Sequence, residues 1–190
     1  MTLKKWQKLF TLKHYRFGNA HKTYYGVDHD RVISPGGVEV DYFFLRITPF
    51  SVIIAVTPER QILCVSQHRY TTNEITIELP MGNCDGGDLL IAARRELEEE
   101  TKFTSANLKE IGKFQEANGI AESWGHVFIT SEAVPTEKPA QDPEDKNLIE
   151  LCSYTVPEIR QMISSGRITD ASTICAFAQA DYQGHFKDYE

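Results

Sequence analysis

Redox and metal spacing are missing from the cysteines of this sequence. Cys64, Cys84, Cys152 and Cys175 are scattered, with no Cys-x-x-Cys among them. That excludes a disulfide framework of the small secreted kind and points to reduced thiols. The six histidines, His14, His21, His29, His68, His126 and His185, show no ligand spacing either, and read as surface or internally satisfied side chains. No apolar run approaches the length of a membrane span. Met1-Thr2-Leu3-Lys4-Lys5-Trp6 lacks the apolar core of a signal peptide, so the expected compartment is the cytoplasm. Positive charge is also short. A net charge of −7 leaves no basic surface for general nucleic-acid binding, although a nucleotide whose charge a metal offsets remains a possible substrate. No internal repeat is visible.

What is present suits one globular domain with a small N-terminal addition: 190 residues, 41% of them hydrophobic. From Trp6 to about Asp41 aromatics lie among polar residues, Tyr15, Phe17, Tyr24 and Tyr25 among them. Residues 32–38 read as strand, turn, strand. Residues 1–41 are therefore expected to form a β-ribbon whose aromatics pack, and residues 42–190 the main domain. In that domain, 50–56 and 61–67 read as two strands of a hairpin. Residues 75–82 read as a strand stopped by Pro80, and 108–116, 125–130 and 148–156 as further strands. Residues 132–147, rich in proline and charge, read as a loop. Pro157 opens a short helix, and Asp170 caps a last helix running to about Asp181.

The densest chemistry lies at 82–101, a glycine-rich turn followed by a helix crowded with carboxylates. Asp88 is placed to cap that helix, and Leu90, Ala93 and Leu97 fall on one stripe that can face a core. Glu96, Glu99 and Glu100 cluster beside the stripe, within roughly a 100° arc. A charge run is usually a solvated face. A cluster this close, however, repels itself unless something positive sits within it, and a hard divalent cation, Mg²⁺ or Mn²⁺, suits carboxylate oxygens. Arg95, four residues before Glu99, can brace that carboxylate.

The stretch resembles the Nudix box: a glycine, then a glutamate, then Arg-Glu-U-x-Glu-Glu-x-Gly-U, with U apolar. Gly82, Arg95, Glu96, Leu97, Glu99, Glu100 and Phe103 match it. Asp88 stands where the family has glutamate, six residues rather than seven separate it from Arg95, and Lys102 replaces the late glycine. Gln67-x-Arg69-Tyr70, Glu78-Leu79-Pro80-x-Gly82 and the Gly-x-Ile-x-Asp-Ala-x-Thr pattern at 166–173 are similar to the ADP-ribose pyrophosphatase branch.

The resemblance implies an α/β fold, a Nudix-type α/β/α sandwich with a mixed sheet. It also implies metal-dependent hydrolysis of a nucleoside diphosphate linked to another moiety, ADP-ribose or another nucleotide sugar. Glu96, Glu99, Glu100 and Met81 would hold the metal. Arg69, whose fork matches phosphate, would bind substrate together with Glu78 and Gly119. Glu122 is the candidate general base, Glu116 its reserve, and Arg95 completes the catalytic set. The N-terminal segment would build a homodimer whose partner completes the substrate pocket. The altered turn leaves open a second reading, a nucleotide or sugar sensor on a Nudix scaffold.

Overall fold

The computed structural model describes residues 4–18, 23–84, 87–137 and 149–189. Asp85 and Gly86 of the glycine turn, His21, and most of the loop expected at 132–147 lie outside the described residues. Two compact units emerge, one of residues 1–49 with 115–124, the other of 50–114 with 125–190.

In the first unit, strands β1 (Gln7–Gly18), β2 (Thr23–Ile33) and β3 (Glu39–Ile47) form an antiparallel meander. The short strand β10 (Ala121–Glu122) adds to β3 in parallel. The turn between β2 and β3 closes with the Gly37 amide donating to the Ser34 carbonyl at 2.8 Å. Gly37 has φ +86°, a conformation that costs glycine little. The aromatics pack in pairs, Phe17 on Tyr25 at 5.3 Å and Trp6 on Tyr42 at 5.5 Å between ring centroids, but the pairs are not covered. Trp6, Phe10, Tyr15, Phe17, Tyr25 and Phe43 are all about half exposed, because a single-layer sheet buries only what another layer covers.

The second unit begins with β4 (Phe50–Ala55), β5 (Ile62–Arg69), β6 (Glu74–Glu78) and β7 (Met81–Asn83). Helix α1 (Leu89–Thr101), β8 (Phe103–Thr104), β9 (Lys109–Gln115), β11 (Trp124–Thr130), β12 (Val134–Pro135) and β13 (Ile149–Tyr154) follow. Helices α2 (Val156–Ser164) and α3 (Ala171–Tyr182) complete it. One sheet has the order β7-β4-β11-β9 and another β13-β5-β6, with β12 and β8 as a small pair. Strand β4 runs parallel to β11 and antiparallel to β7. The expected hairpin of β4 and β5 is reduced to a lone Val56–Ile62 bridge. Each strand is already paired on both sides, β4 by β7 and β11, β5 by β13 and β6.

Strand β4 is buried on both faces, as the unbroken apolar run of its sequence predicts. Val52 and Ile54 join Ile159, Met162, Ala176 and Phe177 of α2 and α3 in one core. Ile53 and Ala55 join Ala93 and Leu97 of α1 in another. Helices thus cover both faces of a mixed sheet, the expected α/β/α sandwich. The four cysteines are free thiols. Among the described residues no helix is long and apolar enough to cross a membrane.

The first unit holds a buried charge cluster that sequence reading did not find. Asp28 has no exposed surface. It accepts from His14 at 2.7 Å, Arg16 at 2.6 Å and Arg46 Nε at 3.0 Å. Burial alone would raise its pKa, but hydrogen bonds from Arg16, His14 and Arg46 together hold it well below the usual carboxylate range. A carboxylate depressed in this way contributes stability that is present above its unfolded value, 3.8, and lost as pH falls through the folded value. Asp28→Asn should therefore cost about 1.5–3 kcal/mol near neutral pH. In urea unfolding followed against pH, that difference from the native protein should persist down to about pH 4 and shrink only below it.

Candidate active site

The site is built where β6 hands over to β7. Pro80 cannot donate to a ladder, so the strand breaks after Glu78 and the chain crosses from one sheet to the other. The Pro80 carbonyl accepts the Ile53 amide at 2.9 Å. Met81–Asn83 then pairs with β4. Gly82, expected in a turn, thus lies in a strand. Its missing side chain leaves room for the Glu96 carboxylate, which a Cβ at Gly82 would displace.

Helix α1 starts as expected, with the Asp88 carboxylate accepting the Leu90 and Ile91 amides at 2.8 and 3.1 Å. Ala93 and Leu97 are fully buried, but Leu90 is 37% exposed and Ala92 takes the buried place in the first turn. At the far end Lys102 adopts φ 60°, the left-handed cap that glycine fills with less strain. The family's late glycine thus has its conformation here without its residue.

The helix brings its acids to the strand. Glu100 Oε2 accepts the Met81 amide at 3.1 Å. Arg95 donates to Glu96 at 2.6 Å, to Glu99 at 3.0 Å and to the Asn83 carbonyl at 3.3 Å. Glu98 turns away to accept from Thr104 at 2.6 Å. Burial, and next the charge of Glu96, push the Glu100 carboxyl up to about 8 against the pull of the Met81 amide and Arg69. Among the described residues no three acidic, histidine or cysteine side chains already converge as a ligand set. The donor chemistry nevertheless fits a divalent cation. The site consists of hard oxygens, and burial with the charge of Glu96 opposes ionisation of Glu100, a cost that a cation would relieve.

Beside this edge Glu78, 1% exposed, accepts from Arg69 through both arms of the guanidinium. Its oxygens also accept from Thr76 at 2.5 Å and Gln67 at 3.2 Å. Glu78 therefore anchors Arg69, whose side chain keeps 43% exposure. Hydrogen bonding to Glu78 raises the Arg69 pKa. Asp170 caps α3, accepting the Thr173 amide at 2.7 Å, and burial raises its pKa.

The remaining candidates belong to the first unit. Glu122, at the end of β10, is ion-paired with Arg46, which also holds Asp28. Glu116 accepts from the Ser123 hydroxyl at 3.0 Å. The Gly119 carbonyl accepts from Tyr42 at 2.9 Å. Sequence reading had passed over Thr173, Thr76 and Arg46. For Thr173 a signal existed, because it closes the Gly-x-Ile-x-Asp-Ala-x-Thr pattern.

The NUDIX domain family profile matches residues 47–177. An ADP-ribose pyrophosphatase of Bacillus subtilis is 32% identical over 125 residues, 65% of this chain and 67% of that protein. A methanol dehydrogenase activator of Bacillus methanolicus is 30% identical over 136 residues, 71% of this chain and 73% of its own. A solved structure described as an ADP compounds hydrolase superposes with a TM-score of 0.74 over 94% of this chain and 96% of that one, at 16% identity, a likeness of fold. The chain belongs to the Nudix family. It is a Nudix hydrolase, and enzymes of that family generally need divalent metal ions.

A carboxyl whose folded pKa lies above its unfolded value of 4.5 destabilises the fold as pH rises between the two. Metal-free protein should therefore lose stability from about pH 4.5 to 8 through Glu100. Urea midpoints in EDTA should show that slope. Mg²⁺ should reduce it, and Glu100→Gln should flatten it while removing the response to Mg²⁺.

Proposed function

We propose that this protein hydrolyses the pyrophosphate bond of a nucleoside diphosphate linked to a sugar, ADP-ribose first among them, to a nucleoside monophosphate and a sugar phosphate. The observation that carries this reading is the partly buried Glu100 carboxyl bonded to the Met81 amide beside Glu96. The named likeness to an ADP-ribose pyrophosphatase supports it. Mg²⁺ or Mn²⁺, when bound, would offset phosphate charge and lower the pKa of a water. Glu96, Glu99 and Glu100 would hold the cation with the Met81 backbone, and Arg95 would keep the first two in place. Arg69, fixed by Glu78, presents its outer edge to phosphate oxygens. Glu122 would take the proton as water attacks phosphorus, with Glu116 as the other candidate, and Gly119 would contribute to substrate binding. The cytoplasm suits such a substrate and the free thiols.

The test is incubation with Mg²⁺ and a panel of nucleoside diphosphate derivatives, with product identification. ADP-ribose should give AMP and ribose 5-phosphate. Glu99→Gln should weaken Mg²⁺ binding in calorimetry. Glu122→Gln should lower kcat by about 10²–10⁴-fold with KM nearly unchanged. If Glu116→Gln shows that pattern and Glu122→Gln does not, the role moves to Glu116. The shortened box and the relative described as an activator favour one second reading, a nucleotide sensor. Saturable binding across the panel without turnover would select it.

The exposed aromatic face of residues 1–41 supports a homodimer in which the partner completes the substrate pocket, with residues 42–190 as the catalytic domain. Phe10→Lys with Leu12→Lys, placing two charges among exposed apolar residues of β1, should convert a dimer to a monomer in light scattering and raise KM. A native protein that stays monomeric at micromolar concentration yet hydrolyses ADP-ribose well would exclude the shared pocket.

A further inference from the structure

The start of α3 makes one contact that the proposed chemistry does not use. The Thr173 hydroxyl accepts the Leu79 amide at 3.0 Å, a buried bond between residues ninety-four apart in sequence. Leu79 and Thr173 are each 1% exposed. Leu79 lies between β6 and β7, so its N–H has no place in a ladder, and a buried amide must find a partner elsewhere. The hydroxyl is set in turn by the cap, since the Thr173 hydroxyl as well as its amide, the latter at 2.7 Å, bonds to the Asp170 carboxylate.

The segment from Glu78 to Met81 is thus held at four successive residues. Arg69, Gln67 and Thr76 grip the Glu78 side chain. Thr173 takes the Leu79 amide. Ile53 donates to the Pro80 carbonyl, and Glu100 takes the Met81 amide. Of these four, only the Thr173 contact comes from the C-terminal helix. It acts two residues from the amide that meets Glu100.

We infer that the Thr173 hydroxyl, oriented by the Asp170 cap, is a positioning group for the active site. It fixes Leu79 and thereby holds the Met81 amide against the Glu100 carboxylate. Its use in catalysis rests on the proposed hydrolase reading, but the positioning can be measured without metal or substrate.

The experiment compares the full-length native protein with Thr173→Val, Thr173→Ser and Ser105→Ala. Valine keeps the shape and loses the acceptor, while serine restores it. Ser105 is a control, because its hydroxyl makes an equally buried bond to Thr130 at 2.8 Å away from this segment. Amide exchange of Leu79 and Met81 is followed by NMR in metal-free protein, and Mn²⁺ affinity by electron paramagnetic resonance. Thr173→Val should speed exchange at both amides by about tenfold beyond its change in global unfolding, and weaken Mn²⁺ binding about tenfold, the loss of one hydrogen bond's worth of order. Thr173→Ser should recover both. Ser105→Ala should lower the unfolding midpoint and leave both at native values. Thr173→Ala supplies the same comparison if valine does not fold.

Native exchange at Met81 without the hydroxyl would overturn the inference, as would equal changes in Ser105→Ala, which would make the bond merely structural. A response at Met81 in a native protein that binds no Mn²⁺ would support the positioning and overturn the metal-dependent reading of the site instead.

Discussion

The bond from the Met81 amide to the Glu100 carboxylate joins the two halves of the site, and much of the surrounding structure exists to set its length. Strand β4 is packed from both faces, so it cannot shift without disturbing two cores at once. It carries β7 on its edge and α1 on one face, and strand and helix therefore meet at a fixed height. The meeting places a carboxylate partly out of water. Burial and the charge of Glu96 then favour its protonated form, and a cation is the partner that restores the charged one.

Charge elsewhere in the chain follows the same economy. Glu78 is buried but saturated, with Arg69, Gln67 and Thr76 filling its oxygens. Asp28 is buried and shared by His14, Arg16 and Arg46. Each carboxylate is held by donors from neighbouring strands, a geometry that removing one member leaves uncompensated. Glu100 differs in kind, since burial and the nearby charge of Glu96 oppose its ionisation, a repulsion that a bound cation would relieve.

Much of the fold was legible along the chain because its signals are local. The unbroken apolar run of β4, the caps at Asp88 and Asp170, and the proline after Thr155 each act within a few residues. The spacing of Glu96, Glu99 and Glu100 follows from helical period alone. The stripe was legible at Ala93 and Leu97 and failed at Leu90, since periodicity gives a face but not how far the covering core extends. The apparent hairpin at 50–67 failed because two adjacent apolar strands do not say which neighbours compete for their edges.

The sequence by itself determined the elements, the helix that gathers the carboxylates, and the family to which the chain belongs. Only the tertiary structure decided that the Glu96 carboxylate lies against Gly82, that Glu78 is an anchor for Arg69, and that Thr173 reaches back to Leu79. Those pairings join residues far apart in the chain, where no periodicity carries information. They are chosen by the need of each buried donor or acceptor to find a partner once strands and helices have packed.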